Sequence, residues 1–287
     1  VRRSDELTRA LRRAGGAEEV ERETSHGRIA AIWSPKGGCG KTTLAVNSAV
    51  ALAAAGHRVL LIDLDLAFGD VAISLGLRPN HGFDEAAAMG ERIDRSALRG
   101  LLAQHESGVW VLSPPNDPGI AERIPTRLVA RLLDVAKAEF EYVVIDTAPA
   151  LDERNILVME TADVVLLVTT LDIPSLKNLR VAIDTLRLIN YPLDRLRVVL
   201  NRADSKVGLD SSEVHKSLGV TVAANIPSSR DVPAATNRGV AVVAENPRHP
   251  VSLAIGSLVA ATVLTDEHAA VLVRPAGGGR RMWRRTA

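Results

Sequence analysis

The segment from Ser34 to Thr43 has the composition of a phosphate-binding loop. It reads Ser-Pro-Lys-Gly-Gly-Cys-Gly-Lys-Thr-Thr and lies between an apolar run and a run of helix-forming residues. Glycines let the backbone take positive φ values and bring successive N–H groups close to a polyphosphate. The following helix adds the positive end of its dipole. The sequence therefore predicts a nucleotide site at a strand-to-helix turn.

Individual roles follow from the chemistry of each side chain. Lys41 is predicted to bridge the β- and γ-phosphates, and the Thr42 hydroxyl is a hard oxygen ligand suited to Mg²⁺. Thr43 can add a phosphate contact. The backbone of the loop is predicted to hold the phosphates through Gly37, Gly38, Cys39 and Gly40. Cys39 is expected to fill the variable loop position as a small residue, although a redox-sensitive thiol is the alternative.

Three aspartates end apolar runs further along the chain. Asp63 and Asp65 close the run that begins at Arg58, and Asp146 closes the run that begins at Tyr142. The carboxyl ends of strands in an open parallel sheet are where ligands bind. Asp146 is therefore predicted to hold Mg²⁺ opposite Thr42, usually through water. Solvated carboxylates at a strand end are the alternative for Asp63 and Asp65, and a turn-forming residue at a strand end is the alternative for Asp146.

Apolar strand-like runs alternate with helical patterns from residue 28 onward, which predicts an α/β fold with a doubly wound, mostly parallel sheet. The expected strands end near Trp33, Asp63, Leu112, Asp146, Thr170, Leu200 and Ile226, and the expected helices include 126–139 and 175–189. The apolar stretch 251–264 is too short to cross a bilayer and is expected to be a packed helix.

The totals exclude several classes of protein. The 287 residues are 46% apolar, which is typical of a globular protein, and the net charge of +1 provides no overall field that attracts nucleic acid. Cys39 is the single cysteine, so no intramolecular disulfide and no cysteine-based zinc site can form. A reduced cytoplasm is the expected compartment.

The loop resembles the deviant Walker A motif of MinD/ParA ATPases. Pro35 stands where the first glycine of the strict P-loop belongs, and Lys36 adds the second lysine of the variant. The resemblance implies ATP and Mg²⁺ as cofactors and a homodimer in which Lys36 reaches the nucleotide of the partner. It places Asp63 near the metal and makes Asp65 the residue that orients the attacking water.

The resemblance also assigns the base site and the borders of the domains. Asn201 is placed at the adenine edge and Arg202 beside the base, with Pro227 in the segment that closes over it. Residues 28–268 form the ATPase domain. Residues 1–27 resemble a linker or remnant of a receiver-like domain, with an unrelated solvated tail as the alternative. The basic segment 269–287 is expected to be a flexible tail, with weak membrane or partner contact as the alternative.

The run from Asp63 to Val71 is the stretch that most resembles the CpaE/TadZ branch of the family. That branch implies a switch that positions a pilus or secretion system at a cell pole, with pilus-assembly proteins as partners and a polar or membrane-associated position. Two alternatives stay open. One is a partitioning or division-site ATPase of the ParA/MinD kind, for which DNA is the less favoured partner, and the other is an ATP-bound scaffold that does not hydrolyse.

Overall fold

The computed structural model describes residues 27–204, 214, 220–265 and 268. The predicted N-terminal linker, apart from Gly27, and the basic tail lie outside these residues. The strands are β1 (Arg28–Trp33), β2 (Val59–Leu64), β3 (Ala103–Gln104), β4 (Trp110–Leu112), β5 (Tyr142–Thr147), β6 (Val164–Thr170), β7 (Leu196–Asn201) and β8 (Val222–Ile226).

The helices alternate with the strands along the chain. They are α1 (Lys41–Ala54), α2 (Val71–Ser74), α3 (Phe83–Met89), α4 (Arg95–Leu101), α5 (Pro118–Ala121), α6 (Thr126–Glu139), α7 (Glu153–Thr161), α8 (Ile173–Leu188), α9 (Asp231–Asn237), α10 (Val242–Glu245) and α11 (Pro250–Thr262). Single 3₁₀ turns occur at Gly90–Arg92 and Leu193–Arg195.

The strands form one sheet in the order β3-β4-β2-β5-β1-β6-β7-β8. All neighbouring pairs are parallel except β3 and β4, which are antiparallel at the edge. The strand order reverses around β1, so the loop after β1 lies at a topological switch point. Ligands bind at this position in open α/β sheets. The predicted doubly wound sheet is confirmed.

Alternation along the central strands creates two separate apolar cores. Ile29, Ala31 and Trp33 of β1 face one side, where α4, α6, α7 and α8 pack. Ala30 and Ile32 face the other side, where α1 and α11 pack. Because both faces of the strands are covered, β2 and β5 are buried along their whole length. This explains the continuous apolar runs in the sequence.

Several predicted bounds agree with the structure, and others shift. The helix at 126–139 has the predicted limits, and 250–262 is a packed helix. Helix α8 begins at Ile173, two residues before the predicted start, because Asp172 caps it and proline is tolerated in its first turn. The edge strand β3 was not predicted, since two residues carry no readable alternation. No helix among the described residues is long and apolar enough to cross a membrane.

Candidate nucleotide site

The phosphate-binding loop joins β1 to α1 at the switch point. Gly38 and Gly40 have φ values of 74° and 96°, which disfavour any residue with a Cβ. Gly40 also lies against Asn201, since a Cβ at position 40 would be 2.3 Å from the Asn201 Nδ2. The predicted phosphate lysine Lys41 begins α1 and is 8% exposed. The loop therefore has the backbone geometry that a close phosphate contact requires.

Thr42 and Asp146 meet at the carboxyl end of the central strands. The Thr42 Oγ1 donates a hydrogen bond of 2.6 Å to the Asp146 Oδ2, although the residues are 104 positions apart. The other carboxylate oxygen, Asp146 Oδ1, is buried and has no hydrogen-bond partner in the structure. An unpaired buried carboxylate oxygen is costly and is commonly explained by an ion or water.

Asp63 lies directly beside Asp146, because β2 and β5 pair in a register that opposes these two residues. Its Oδ2 accepts a 3.0 Å hydrogen bond from the Val71 N–H, and its Oδ1 accepts a 3.2 Å bond from the Asp65 N–H. A Cβ at Gly69 would be 2.3 Å from the Asp63 Oδ2. The buried carboxylate therefore fixes the loop between β2 and α2.

Burial raises the pKa of both strand-end carboxylates. Desolvation is the main cause for Asp63, and the nearby charge of Asp146 raises its pKa further. Desolvation raises the pKa of Asp146 to about 7, although the Thr42 hydrogen bond and the Lys41 charge oppose the shift. Two buried carboxylates side by side strongly favour a cation between or beside them.

These residues fit a Mg²⁺ ion. Thr42 Oγ1 and the unpaired Asp146 Oδ1 are hard oxygen donors, and Mg²⁺ binds proteins through one or two such groups together with phosphate and water. Within the described part of the chain, no cluster of three or more His, Cys, Asp or Glu side chains forms a protein-only metal cage. With Thr42 and Asp146 as donors, most coordination positions of such an ion would be left to phosphate and water.

The two residues of the Asp63-Leu64-Asp65 segment differ in their surroundings. Asp63 is the fifth residue of β2 and is fully buried, whereas Asp65 follows the end of the strand and is partly exposed. Two residues that are two apart share a face on an extended strand, but β2 ends at Leu64, so Asp63 and Asp65 do not share one strand face. Of the three strand-end aspartates, Asp65 is therefore the one that solvent can reach.

A cavity of about 360 Å³ adjoins the loop on the side of β7 and β8. Its lining includes Gly40, Thr43, Asn201, Arg202, Pro227, Ser228, Ser229, Arg230, Val232 and Pro233. The Asn201 Nδ2 donates a 2.8 Å hydrogen bond to the Cys39 carbonyl oxygen, and Arg202 has a φ of 53°. The structure thus gathers the predicted base-site residues around one cavity. Cys39 is 2% exposed, which agrees with a packing role.

Lys36 makes contacts that the sequence did not predict. Its Nζ lies 3.2 Å from the Asp172 Oδ1 and donates a 2.9 Å hydrogen bond to the Ser175 Oγ. Asp172 caps α8 through the Ser175 N–H. A local signal for this cap was present, because aspartate is a preferred N-cap residue and proline is common in the first turn of a helix. The link to Lys36 had no local signal, since 136 residues separate the two partners.

A phosphate-binding loop on a mostly parallel sheet, with paired carboxylates at the neighbouring strand ends, defines a P-loop NTPase fold. Residues 30–242 match the CobQ/CobB/MinD/ParA nucleotide binding domain. The chain belongs to this family.

Two relatives illustrate the similarity in sequence. The septum site-determining protein MinD of Thermotoga maritima is 26% identical over 221 residues, which cover 75% of this chain and 81% of that protein. An ATP-binding protein of Methanocaldococcus jannaschii is 26% identical over 251 residues, which cover 86% of this chain and 93% of that protein.

Solved structures agree with this assignment. A ParA family ATPase from Chlorobium tepidum superposes with a TM-score of 0.75 at 25% identity, covering 80% of this chain and 97% of that one. The MinD structure from Pyrococcus horikoshii, solved with Mg-ADP, has a TM-score of 0.72 at 22% identity, covering 87% and 100% of the two chains. The second comparison supports the fold alone.

Proposed function

We propose that the protein is a Mg²⁺-dependent ATPase that acts as a dimerisation switch. The observation that carries the proposal is the second lysine in the phosphate loop, Lys36, combined with the Thr42–Asp146 pair at the metal position. Lys41 already supplies a lysine to the nucleotide of its own subunit. The Lys36 Nζ contacts Asp172 and Ser175 at the start of α8 instead of the Thr42–Asp146 pair, and we assign this lysine to the nucleotide of a second subunit.

The residues of the chain divide the work of phosphoryl transfer. The loop backbone and Lys41 hold the phosphates, and Thr42 with Asp146 would hold the ion, while Asp63 supports it from the adjacent strand. When bound, Mg²⁺ neutralises charge that develops on the phosphate oxygens. Asp65 orients the attacking water and can accept its proton. Lys36 of the partner adds positive charge in the transition state, a contribution of about 10³-fold or more for a group of this kind.

The remaining contacts are with the adenine base of the nucleotide. Asn201 reads the edge of the adenine, Arg202 flanks the ring, and Pro227 begins the segment that covers it. The Asn201 side chain bonds to the Cys39 carbonyl, so it links the base cavity directly to the phosphate loop. Base binding and loop geometry are therefore coupled.

The biological setting that the relatives favour is division-site placement or partitioning. Relatives include MinD proteins and the antiactivator FleN of Pseudomonas aeruginosa, which is 29% identical over 184 residues. A structure of a MinC:MinD complex from Aquifex aeolicus shares the fold. The pilus-assembly function that was the main prediction from the sequence rests on residues 63–71 alone. Accordingly, we favour a switch that recruits a protein partner in its dimeric state.

The test replaces Lys36 by alanine and compares nucleotide binding with dimerisation. We expect the variant to bind ATP as a monomer but to lose ATP-dependent dimer formation and most of its turnover. Asp134→Ala on the exposed face of α6 is the control and is expected to behave like the wild type. Equal ATP-driven dimerisation of the Lys36 variant would refute the trans role of this lysine.

Steady-state turnover separates this proposal from a scaffold that only binds ATP. Phosphate release by the wild type with Mg²⁺ supports the switch. Tight ATP binding without any release of phosphate in the dimer would support the scaffold instead.

A further inference from the structure

Two residues at the start of α8 hold the Lys36 ammonium within its own subunit. The Nζ makes an ion pair with Asp172 at 3.2 Å and a hydrogen bond with Ser175 at 2.9 Å. Under the proposed function, the same ammonium must reach a nucleotide in the partner. We propose that Asp172 and Ser175 form a latch that retains Lys36 in the free subunit and must open before the ATP-bound dimer forms.

The groups that accept hydrogen bonds from Lys36 are themselves held in place by other hydrogen bonds. The Asp172 carboxylate accepts hydrogen bonds from the Ser175 N–H at 2.9 Å, the Ser175 Oγ at 2.7 Å and the Thr170 Oγ1 at 2.5 Å. Thr170 ends β6 and Ser175 lies in the first turn of α8, so strand and helix both fix the carboxylate. The acceptors are therefore in place whether or not Lys36 occupies them.

The latch is also charged under all ordinary conditions. Burial alone would raise the pKa of Asp172, but the hydrogen bonds from Thr170, Ser175 and Lys36 outweigh burial and hold the pKa well below its usual range. The positive end of the α8 dipole also favours a negative charge at this position. An ionised carboxylate then faces the ammonium, and the pair does not switch with pH near neutrality.

Exposure decides how strongly the latch holds. The side chains of Lys36 and Asp172 are each 39% exposed, and ion pairs of this kind shift an equilibrium by a few-fold. A dimer contains two latches, so both must open, and a factor of about three for each shifts its dissociation constant by about tenfold. The latch is thus strong enough to favour the free subunit and weak enough for ATP and the partner to overcome.

The first experiment tests the latch in the free subunit, independently of any dimer. Lys36 is acetylated with an amine-reactive ester in the absence of nucleotide, and its labelling rate is measured by peptide mass spectrometry. We expect Asp172→Asn to raise the rate at least about threefold, because asparagine retains the helix cap but removes the charge. Asp94→Asn, at the cap of α4, is the matched control and should leave the rate unchanged. An unchanged rate in the Asp172 variant would overturn the latch.

The second experiment tests whether the latch regulates the dimer, and this part rests on the proposed function. The dimer dissociation constant with ATP is measured in an Asp65→Ala background, which slows hydrolysis. We expect Asp172→Asn to lower the constant about tenfold, whereas Asp94→Asn, at the cap of α4, should leave it unchanged. A purely structural role for Asp172 would leave the constant unchanged or raise it, and either result would overturn the regulatory latch.

The outcomes distinguish the two proposals. If the Asp65→Ala protein forms no dimer with ATP, although Lys36 labelling responds to Asp172→Asn, the dimerisation function is wrong and the contact alone stands. If the dimer forms with the same dissociation constant with and without Asp172→Asn, the proposed function stands and the regulatory latch is wrong.

Discussion

Replacing Asp146 by asparagine should stabilise the protein in the absence of nucleotide and Mg²⁺. The side chain is fully buried, its Oδ1 has no partner, and Asp63 lies beside it in the adjacent strand. Asparagine keeps the size and can still accept the Thr42 hydrogen bond, but it carries no charge. The variant therefore removes an electrostatic cost while the packing of β5 is retained.

The magnitude follows from the pKa of Asp146 in the two states. Burial raises it from 3.8 to about 7, which is roughly three pKa units, and each unit corresponds to about 1.4 kcal/mol. Because the pKa of Asp146 is higher in the folded protein, its contribution to the free energy of unfolding is complete below pH 3.8 and is lost as the pH rises toward 7. The total loss is about 4 kcal/mol, of which about 2–3 kcal/mol falls between about pH 5 and pH 8.

The assay is urea unfolding followed by circular dichroism, with EDTA present, at about pH 5 and about pH 8. The free energy of unfolding of Asp146→Asn should exceed that of the wild type by about 2–3 kcal/mol more at the higher pH than at the lower. Asp134→Asn, exposed on α6, controls for loss of an aspartate and should show no such pH dependence. An advantage that is absent, or equal at both pH values, would refute the electrostatic account of the acidic pair.

Three further outcomes test other parts of the site. Gly69→Ala places a Cβ 2.3 Å from the buried Asp63 carboxylate and should lower the free energy of unfolding by about 1–3 kcal/mol, whereas Gly100→Ala meets no atom within 4 Å and should not; urea unfolding measures both. As the pH is raised, the affinity for Mg²⁺ in the presence of ATP should increase by up to about tenfold per pH unit until about pH 7 and then level off, because the ion competes with a proton on Asp146. Titration calorimetry can measure this affinity. Asp65→Ala should bind ATP normally but release phosphate at least about tenfold more slowly in a coupled assay.

The sequence was sufficient for the features that are local or strictly periodic. The phosphate loop, the strand that ends at Asp146 and the helix at 126–139 each consist of adjacent residues, so their patterns can be read directly. The proximity of Thr42 and Asp146 was also predictable, because parallel strands place their carboxyl ends at one edge of the sheet. The roles of these residues in binding and hydrolysis remain predictions.

Features that depend on the packing of distant segments could not be predicted. The Asn201 amide meets the Cys39 carbonyl across 162 residues, and Lys36 meets Asp172 across 136 residues. Each contact forms only after the sheet has brought the ends of two distant elements together. The unequal burial of Asp63 and Asp65 depends on the strand ending between them, a boundary that hydrophobic alternation does not define.

The most direct measurement of the central claim is the mass in solution of the Asp65→Ala protein by light scattering, with Mg²⁺ and either ATP or ADP. The account predicts twice the chain mass of 30.6 kDa with ATP and the single chain mass with ADP. The same mass with both nucleotides would contradict a dimerisation switch controlled by the γ-phosphate.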